Sequence, residues 1–80
     1  MRPPPLVLYV REGCHLCDQF LVELAQDLGP AGEGLSVVDV DADEGLATRY
    51  GLRVPVLALG ETVLCEGRYD PSGVPASLRV

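Results

Sequence analysis

The spacing of apolar and polar residues predicts a strand, a helix and a second strand within the first 40 residues. The apolar run Leu6–Val10 is typical of a buried strand. Apolar side chains then recur at the spacing of a helix that buries one face, at Cys17, Phe20, Leu21, Leu24 and Leu28. Gly29 and Pro30 end this helix, and residues 35–40 predict a second strand covered on both faces. Such a β-α-β unit favours parallel strands joined by a right-handed crossover.

A short second helix follows the second predicted strand. Asp41 and Asp43 are both candidate N-caps, because a carboxylate oxygen can accept from the first free N–H groups of a helix. The apolar spacing continues to Tyr50, and Gly51 is expected to stop the helix. We therefore predict one or two helical turns between the second and third strands.

The next segment predicts an antiparallel hairpin. Residues 52–59 and 62–65 are apolar runs, and the two residues between them, Gly60-Glu61, fit a type II′ turn with glycine first. Pro55 lies near the start of the first of these strands. Because few X-Pro bonds in folded proteins are cis, sequence alone predicts a trans bond at Pro55.

The last segment predicts no long helix. It begins with a good cap and a proline at the first helical position, but Gly73 and Pro75 interrupt any extended helix. We expect one or two turns, docked through Val74 and Leu78. A chain of 80 residues has enough apolar side chains for one core, so we expect a single α/β domain.

The composition argues against nucleic acid and membrane partners. The net charge is −6 with six Arg and no Lys, whereas binding to a phosphate backbone needs clustered basic side chains. No run approaches the roughly 18 apolar residues of a membrane span, and no charged-then-apolar leader precedes the first predicted strand. We therefore expect a soluble, cytoplasmic monomer.

Cys14 and Cys17 lie where the first predicted strand ends and the helix begins, on one helix face and one turn apart. A thiol–disulfide oxidoreductase needs one exposed, ionised thiol and a second, sheltered thiol. The helix has no strong side-chain cap at its start, so its first N–H groups and its dipole can favour a thiolate at Cys14. Cys17 fits the resolving role, in which it attacks a mixed disulfide at Cys14.

The charged neighbours of this pair act in opposite directions. Arg11 and protonated His15 would stabilise a thiolate, whereas Glu12 and Asp18 would oppose it. The positive charges and the helix N-terminus together lead us to expect a stabilised thiolate.

Metal binding is the alternative reading of the Cys-x-x-Cys motif. Zinc requires four ligands, and only Cys65 and His15 remain to complete such a set. An iron–sulfur cluster shared across a dimer would need the same two thiols. A thioredoxin-fold adaptor without catalysis is a third hypothesis. For Cys65 itself, in alternation with Val63 on a strand, a packing role is favoured over a reactive thiol.

Three segments together resemble a known family. They are residues 8–18, with the Cys-x-x-Cys motif, residues 37–41 (Val-Val-Asp-Val-Asp), and residues 50–57, with Val54-Pro55. They resemble the glutaredoxin branch of the thioredoxin-fold superfamily, and in particular its small bacterial glutaredoxin-like proteins, a domain-of-unknown-function branch. The resemblance implies a three-layer sandwich with a four-stranded mixed sheet, ordered β-α-β-α-β-β with a shortened C-terminal helix.

The resemblance also implies a function and a substrate site. The family's Val-Pro is a cis-proline loop packed beside the Cys-x-x-Cys, so we expect a cis Val54–Pro55 bond near Cys14, in place of the trans default. Arg11 holds the position of a family lysine that meets a glutathione carboxylate. We accordingly expect Arg11, His15, Val54 and Pro55 to bind substrate around Cys14. The implied partners are protein or low-molecular-weight disulfides and the co-substrate glutathione, with no tightly bound cofactor or metal.

Overall fold

The computed structural model describes residues 6–32 and 34–79 and contains a four-stranded mixed sheet of order β2-β1-β3-β4. The strands are β1 (Leu6–Val10), β2 (Ser36–Asp39), β3 (Val56–Leu59) and β4 (Thr62–Glu66). β1 is parallel to β2 and antiparallel to β3, and β3 is antiparallel to β4. The helices are α1 (His15–Leu28), between β1 and β2, and α2 (Glu44–Tyr50), between β2 and β3. Within the described part of the chain, neither helix has the length and apolar content needed to cross a membrane.

Two apolar clusters pack on opposite faces of the sheet. α1 contributes Phe20, Leu24 and Leu28 to the larger cluster, which also contains Leu8 and Leu57 from the two central strands. The smaller cluster contains Val40, Tyr50 and Val56, with Tyr9 packed against it. Successive residues of a strand point to opposite faces, so neighbouring residues of β1 and of β3 pack in different clusters. The predicted three-layer sandwich is confirmed.

One member of the predicted helical stripe faces outward. Leu21 is 37% exposed, whereas Phe20 is 1% exposed and Leu24 is 1% exposed. The stripe that faces the sheet is therefore narrower than the apolar spacing predicted. Leu21 lies at its edge, because residues one position apart on a helix are separated by about 100°.

The second strand is shorter and less covered than predicted. β2 ends at Asp39 and lies at the edge of the sheet, and Val37 is 52% exposed. The predicted burial on both faces is therefore wrong. Val40, the last residue of the predicted strand, instead starts a 3₁₀ turn (Val40–Ala42) and is fully buried in the smaller cluster. A short apolar run has the same composition in an edge strand as in a central one, so the spacing could not fix the sheet order.

The third strand begins four residues later than predicted. β3 starts at Val56, and residues 52–55 form a turn and the cis peptide bond Val54–Pro55. Because proline has no N–H to donate to a neighbouring strand, regular pairing starts after it. The predicted hairpin is confirmed, and Gly60 in its turn has a φ of +61°, the left-handed region required at the first position of a type II′ turn.

A β-bulge in β4 changes which face Cys65 occupies. Leu57 pairs with Cys65 and the next residue, Ala58, pairs with Val63, so Leu64 is an extra residue. Leu64 and Cys65 therefore both pack against the α1 cluster, whereas Val63 packs on the opposite face. The predicted alternation of Cys65 with Val63 is wrong for this reason.

The C-terminal segment contains only 3₁₀ turns, as expected. They span Pro71–Gly73 and Ala76–Arg79. The Asp70 carboxylate caps the first turn by accepting from the Ser72 N–H at 3.0 Å, and Val74 is 6% exposed in the α1 cluster. The segment thus closes one edge of the core without forming a third long helix.

Candidate active site

A tight turn connects β1 to α1 and sets the position of Cys14. The Cys14 N–H donates to the Arg11 carbonyl at 3.2 Å, and Gly13 in this turn has a φ of +76°, which favours glycine. Cys14 has extended backbone angles and is the N-cap of α1, so it lies just outside the helix and not within its first turn. The turn therefore presents the Cys14 side chain at the helix N-terminus.

Cys14 and Cys17 are adjacent and in disulfide geometry, with their Cα atoms 5.2 Å apart. The Cys17 N–H donates to Cys14 Sγ at 3.0 Å. The helix therefore does have a side-chain cap, contrary to the sequence-based expectation, and the capping atom is the Cys14 sulfur. In the reduced protein the same N–H faces the position where a thiolate charge would develop.

The two sulfur-bearing residues differ in exposure. Cys17 is 3% exposed and packs at the start of the buried face of α1, whereas Cys14 is partly exposed. The predicted neighbours Glu12, His15 and Asp18 are all exposed residues around this turn. A molecule in solution can therefore reach the Cys14 side of the pair and not the Cys17 side.

Arg11 is engaged with groups from distant parts of the chain. Its Nε and Nη2 atoms each donate to one oxygen of Asp41 at 3.0 Å, and its Nη1 donates to the Gly51 carbonyl at 3.0 Å. The hydrogen bond to Asp41 and the charge of that carboxylate raise the pKa of Arg11. Asp41, one of the two predicted caps of α2, is thus used elsewhere, and Asp43 caps that helix. The sequence did not predict that Arg11 contacts Asp41 and Gly51, because these partners follow it by 30 and 40 positions and no local pattern links them.

The cis Val54–Pro55 bond implied by the family resemblance is confirmed. Tyr9 pairs with Val56, so Pro55 lies beside the end of β1 from which the chain continues to Cys14. Pro55 is fully buried, and its carbonyl accepts from the Gly67 N–H at 2.8 Å. The structure therefore brings the cis-proline loop and the Cys-x-x-Cys motif to the same end of the sheet.

A cavity of about 130 Å³ includes Leu16, one of the two residues between the cysteines, in its lining. It opens between α1 and the loop after β4, and its walls include Leu16, Glu23 and Arg68. Tyr69 also lines it, and its ring packs edge-to-face against Phe20 with 5.5 Å between centroids. A substrate group held here would lie beside Leu16, between the two cysteines in the sequence.

The third cysteine belongs to the core and not to this turn. Cys65 is partly buried against the α1 cluster, and burial raises the pKa of its thiol. Among residues 6–32 and 34–79, no three His, Cys, Asp or Glu side chains are grouped so that they could hold a metal ion. These positions agree with the predicted packing role of Cys65.

Comparisons with known proteins give one consistent result. The family model described as "Glutaredoxin-like domain (DUF836)" matches residues 5–79. The solution NMR structure of protein Ne2328 from Nitrosomonas europaea is 34% identical with a TM-score of 0.77, and the match covers 96% of this chain and 93% of that one. The X-ray structure of protein XcR50 from X. campestris is 40% identical with a TM-score of 0.68, and the match covers 91% and 93%. Among curated proteins, none matches. With nearly its whole length matched, the chain belongs to the glutaredoxin-like domain (DUF836) family.

Proposed function

We propose that this protein is a thiol–disulfide oxidoreductase in which Cys14 is the nucleophile and Cys17 the resolving thiol. The observation that carries the proposal is the unequal environment of the two sulfurs. Cys14 is partly exposed and accepts a backbone N–H at a helix N-terminus, whereas Cys17 is buried one turn away. Thiolates are the reactive form, and both the hydrogen bond and the helix dipole favour the thiolate of Cys14.

The reaction consists of two exchange steps. In the first, the Cys14 thiolate attacks one sulfur of a substrate disulfide, the substrate S–S bond breaks, and the leaving thiolate takes a proton from solvent. In the second, Cys17 loses its proton and attacks Cys14 Sγ, which releases the other half of the substrate as a thiol. The substrate gains two electrons and two protons, and the protein is left with a Cys14–Cys17 disulfide.

The position of Cys17 suits the second step. Its Cα atom is 5.2 Å from that of Cys14, a distance at which a disulfide closes without backbone movement. Its burial hinders direct attack by disulfides from solution. The first sulfur to react is therefore Cys14, and the mixed disulfide always forms where Cys17 can resolve it.

We propose glutathione as the reductant that restores the dithiol, two molecules of which supply the two electrons and become glutathione disulfide. The support is membership of a glutaredoxin-like family together with the cis-proline loop at the same end of the sheet. In this arrangement the partly buried Val54 and the exposed His15 would contact the glutathionyl or peptide half of a mixed disulfide at Cys14, and the buried Pro55 would hold the Val54 backbone in place. Protein and low-molecular-weight disulfides are the proposed substrates.

The test is glutathione-dependent reduction of a mixed disulfide by the wild type and by single-cysteine variants. Cys14→Ser should abolish turnover, and Cys65→Ser, a matched thiol-to-hydroxyl change in the core, should retain it. Turnover by Cys17→Ser would indicate a glutathione mechanism that needs only the first thiol. Loss of all turnover in that variant alone would indicate a dithiol mechanism, in which Cys17 must resolve the mixed disulfide. Absence of glutathione-dependent turnover in the wild type as well would refute glutathione as the reductant. Full activity of Cys14→Ser would refute the proposal.

A further inference from the structure

Arg11 joins three segments of the chain at the candidate active site. Its backbone carbonyl accepts the Cys14 N–H, and its guanidinium donates to Asp41 after β2 and to Gly51 after α2. From Gly51 the chain runs directly through residues 52 and 53 into the cis Val54–Pro55 bond. One residue therefore connects the turn that holds the nucleophile to the loop that holds the proline.

The backbone of Asp41 is itself held in place by a side-chain cap. The Asp41 N–H donates to Asp39 Oδ1 at 2.9 Å, at the end of β2. The two oxygens of Asp41 face two nitrogens of Arg11, which is the bidentate arrangement that fits the planar guanidinium fork. A lysine at position 11 could keep the charge but could not make these parallel hydrogen bonds.

Gly51 leaves space for this arrangement. Its backbone angles, φ −54° and ψ −36°, are helical and accessible to any residue, so its conformation does not require glycine. A Cβ atom built on Gly51 would nevertheless lie 2.8 Å from Arg11 Nη2 and would also collide with the Ala47 carbonyl. The missing side chain therefore leaves room both for the end of α2, at the Ala47 carbonyl, and for the Arg11 guanidinium.

We propose that Arg11 is a positioning residue that fixes the spacing between the Cys14 turn and the cis-proline loop, and that it does not bind a substrate carboxylate. The inference rests on the proposed thiol–disulfide exchange. Asp41 already occupies the Nε–Nη2 edge of the guanidinium in a bidentate pair and balances its charge, and Nη1 donates to the Gly51 carbonyl. Recognition of the substrate then depends on backbone and side chains that Arg11 holds at a set distance from the sulfur.

This role predicts a dependence on substrate size. An extended peptide disulfide spans both Cys14 and the cis-proline loop, so loosening their spacing weakens its binding and raises KM. A small aromatic disulfide needs only the exposed sulfur, so its exchange rate is unaffected. Misplacement by 1 Å can cost roughly 100-fold in rate, and we expect about a 10-fold loss in kcat/KM from a smaller displacement.

The experiment compares Arg11→Lys, Asp41→Asn and Gly51→Ala with the wild type on three substrates. The first two share one peptide, linked by a disulfide to a chromophoric thiol, and differ in having a C-terminal carboxylate or a C-terminal amide. The third is dithiodipyridine, a small aromatic disulfide without a carboxylate. We expect all variants to lose about 10-fold in kcat/KM on both peptides, through KM, with less than about a 2-fold change on dithiodipyridine. Thermal melting checks that each variant is folded, and Arg49→Lys, an exposed guanidinium change on α2, should behave as the wild type.

Several outcomes would overturn the inference. If Arg11 instead bound a substrate carboxylate, Asp41→Asn would free it and leave or raise the rate, and the amide peptide would be insensitive to position 11. An equal loss on dithiodipyridine would show an effect on the reactivity of the sulfur itself and not on spacing. If the wild type exchanged none of the three substrates, the proposed function would fail together with this inference. Wild-type exchange with unimpaired variants would refute the positioning role alone.

Discussion

The hydrogen bond from the Cys17 N–H to Cys14 Sγ gives a quantitative prediction about the reduced protein. The perturbation is a pair of variants, Cys17→Ala and Cys17→Pro, both of which remove the second thiol. Alanine keeps the backbone N–H that lies 3.0 Å from the sulfur, whereas proline has none. Position 17 is in the first turn of α1, where proline is tolerated because its N–H would make no bond within the helix backbone.

The magnitude follows from the charge of the acceptor. A hydrogen bond to a charged group contributes about 1.5–3 kcal/mol, so removing it should lower the thiolate-to-thiol ratio of Cys14 by about 10- to 150-fold. At neutral pH a free cysteine is only a few per cent thiolate, so a change of this size would be visible in reactivity. We therefore expect the alanine variant to keep a reactive Cys14 and the proline variant to approach a free thiol.

The assay is the rate of alkylation by iodoacetamide as a function of pH, with the thiolate absorbance followed in parallel. Both proteins carry Cys65→Ala so that only Cys14 reacts. A Leu16→Pro change in the Cys17→Ala background places a proline in the same turn without removing the bonded N–H, and it should titrate as its parent. The reasoning is refuted if the Cys17→Ala and Cys17→Pro variants titrate at the same pH while both remain helical by circular dichroism.

Three further predictions concern stability, measured by urea unfolding. Phe20→Ala should lower the free energy of unfolding by about 3–5 kcal/mol, because Phe20 is 1% exposed and packs against Tyr69. The control Leu52→Asn, at a fully exposed position, should change it by no more than about 0.5 kcal/mol. Similar losses in both variants would contradict the described core. Asp43→Ala should cost about 1 kcal/mol, because its carboxylate accepts from a free N–H at the start of α2, and an unchanged midpoint would show that the cap contributes nothing. Burial raises the pKa of Cys65 in the folded state. The contribution of this thiol to the free energy of unfolding is therefore present below the ordinary thiol pKa of about 8.5, and it is lost as the pH rises through the raised pKa. A Cys65→Ala variant should therefore lose less stability than the wild type between neutral and alkaline pH. A steeper loss in the variant would contradict the raised pKa of Cys65.

The burial of Cys65 also bears on the proposed redox role. The bulge at Leu64 turns the Cys65 side chain toward the α1 cluster, where its raised pKa keeps it as the neutral thiol at neutral pH. A neutral, partly buried thiol is a poor nucleophile compared with a capped, partly exposed one. The protein therefore has three cysteines but one site suited to attack a disulfide in solution.

The elements nearest the chemistry could be predicted from the sequence because their determinants are local. β1, the start of α1 and the β3–β4 hairpin each follow from spacing and from Gly or Pro within a few residues. The placement of Cys14 at a helix entrance, with Cys17 one turn deeper, has the same origin, since the period of a helix is a property of the backbone. These features depend on interactions within about ten residues, and the sequence predicted them apart from the start of β3 and the Cys14 cap of α1.

The remaining features depend on contacts between distant segments. The order of the strands made β2 an edge strand, although its apolar run resembled a central one. The bulge at Leu64 decided the face of Cys65, because one extra residue reverses the alternation that a sequence pattern assumes. Arg11 could be recognised as a cation near Cys14, but its partners Asp41 and Gly51 lie 30 and 40 residues away. Only the folded chain brings these groups within hydrogen-bond distance, since the contacts between the segments that follow β1, β2 and α2 are set by the topology and not by local spacing.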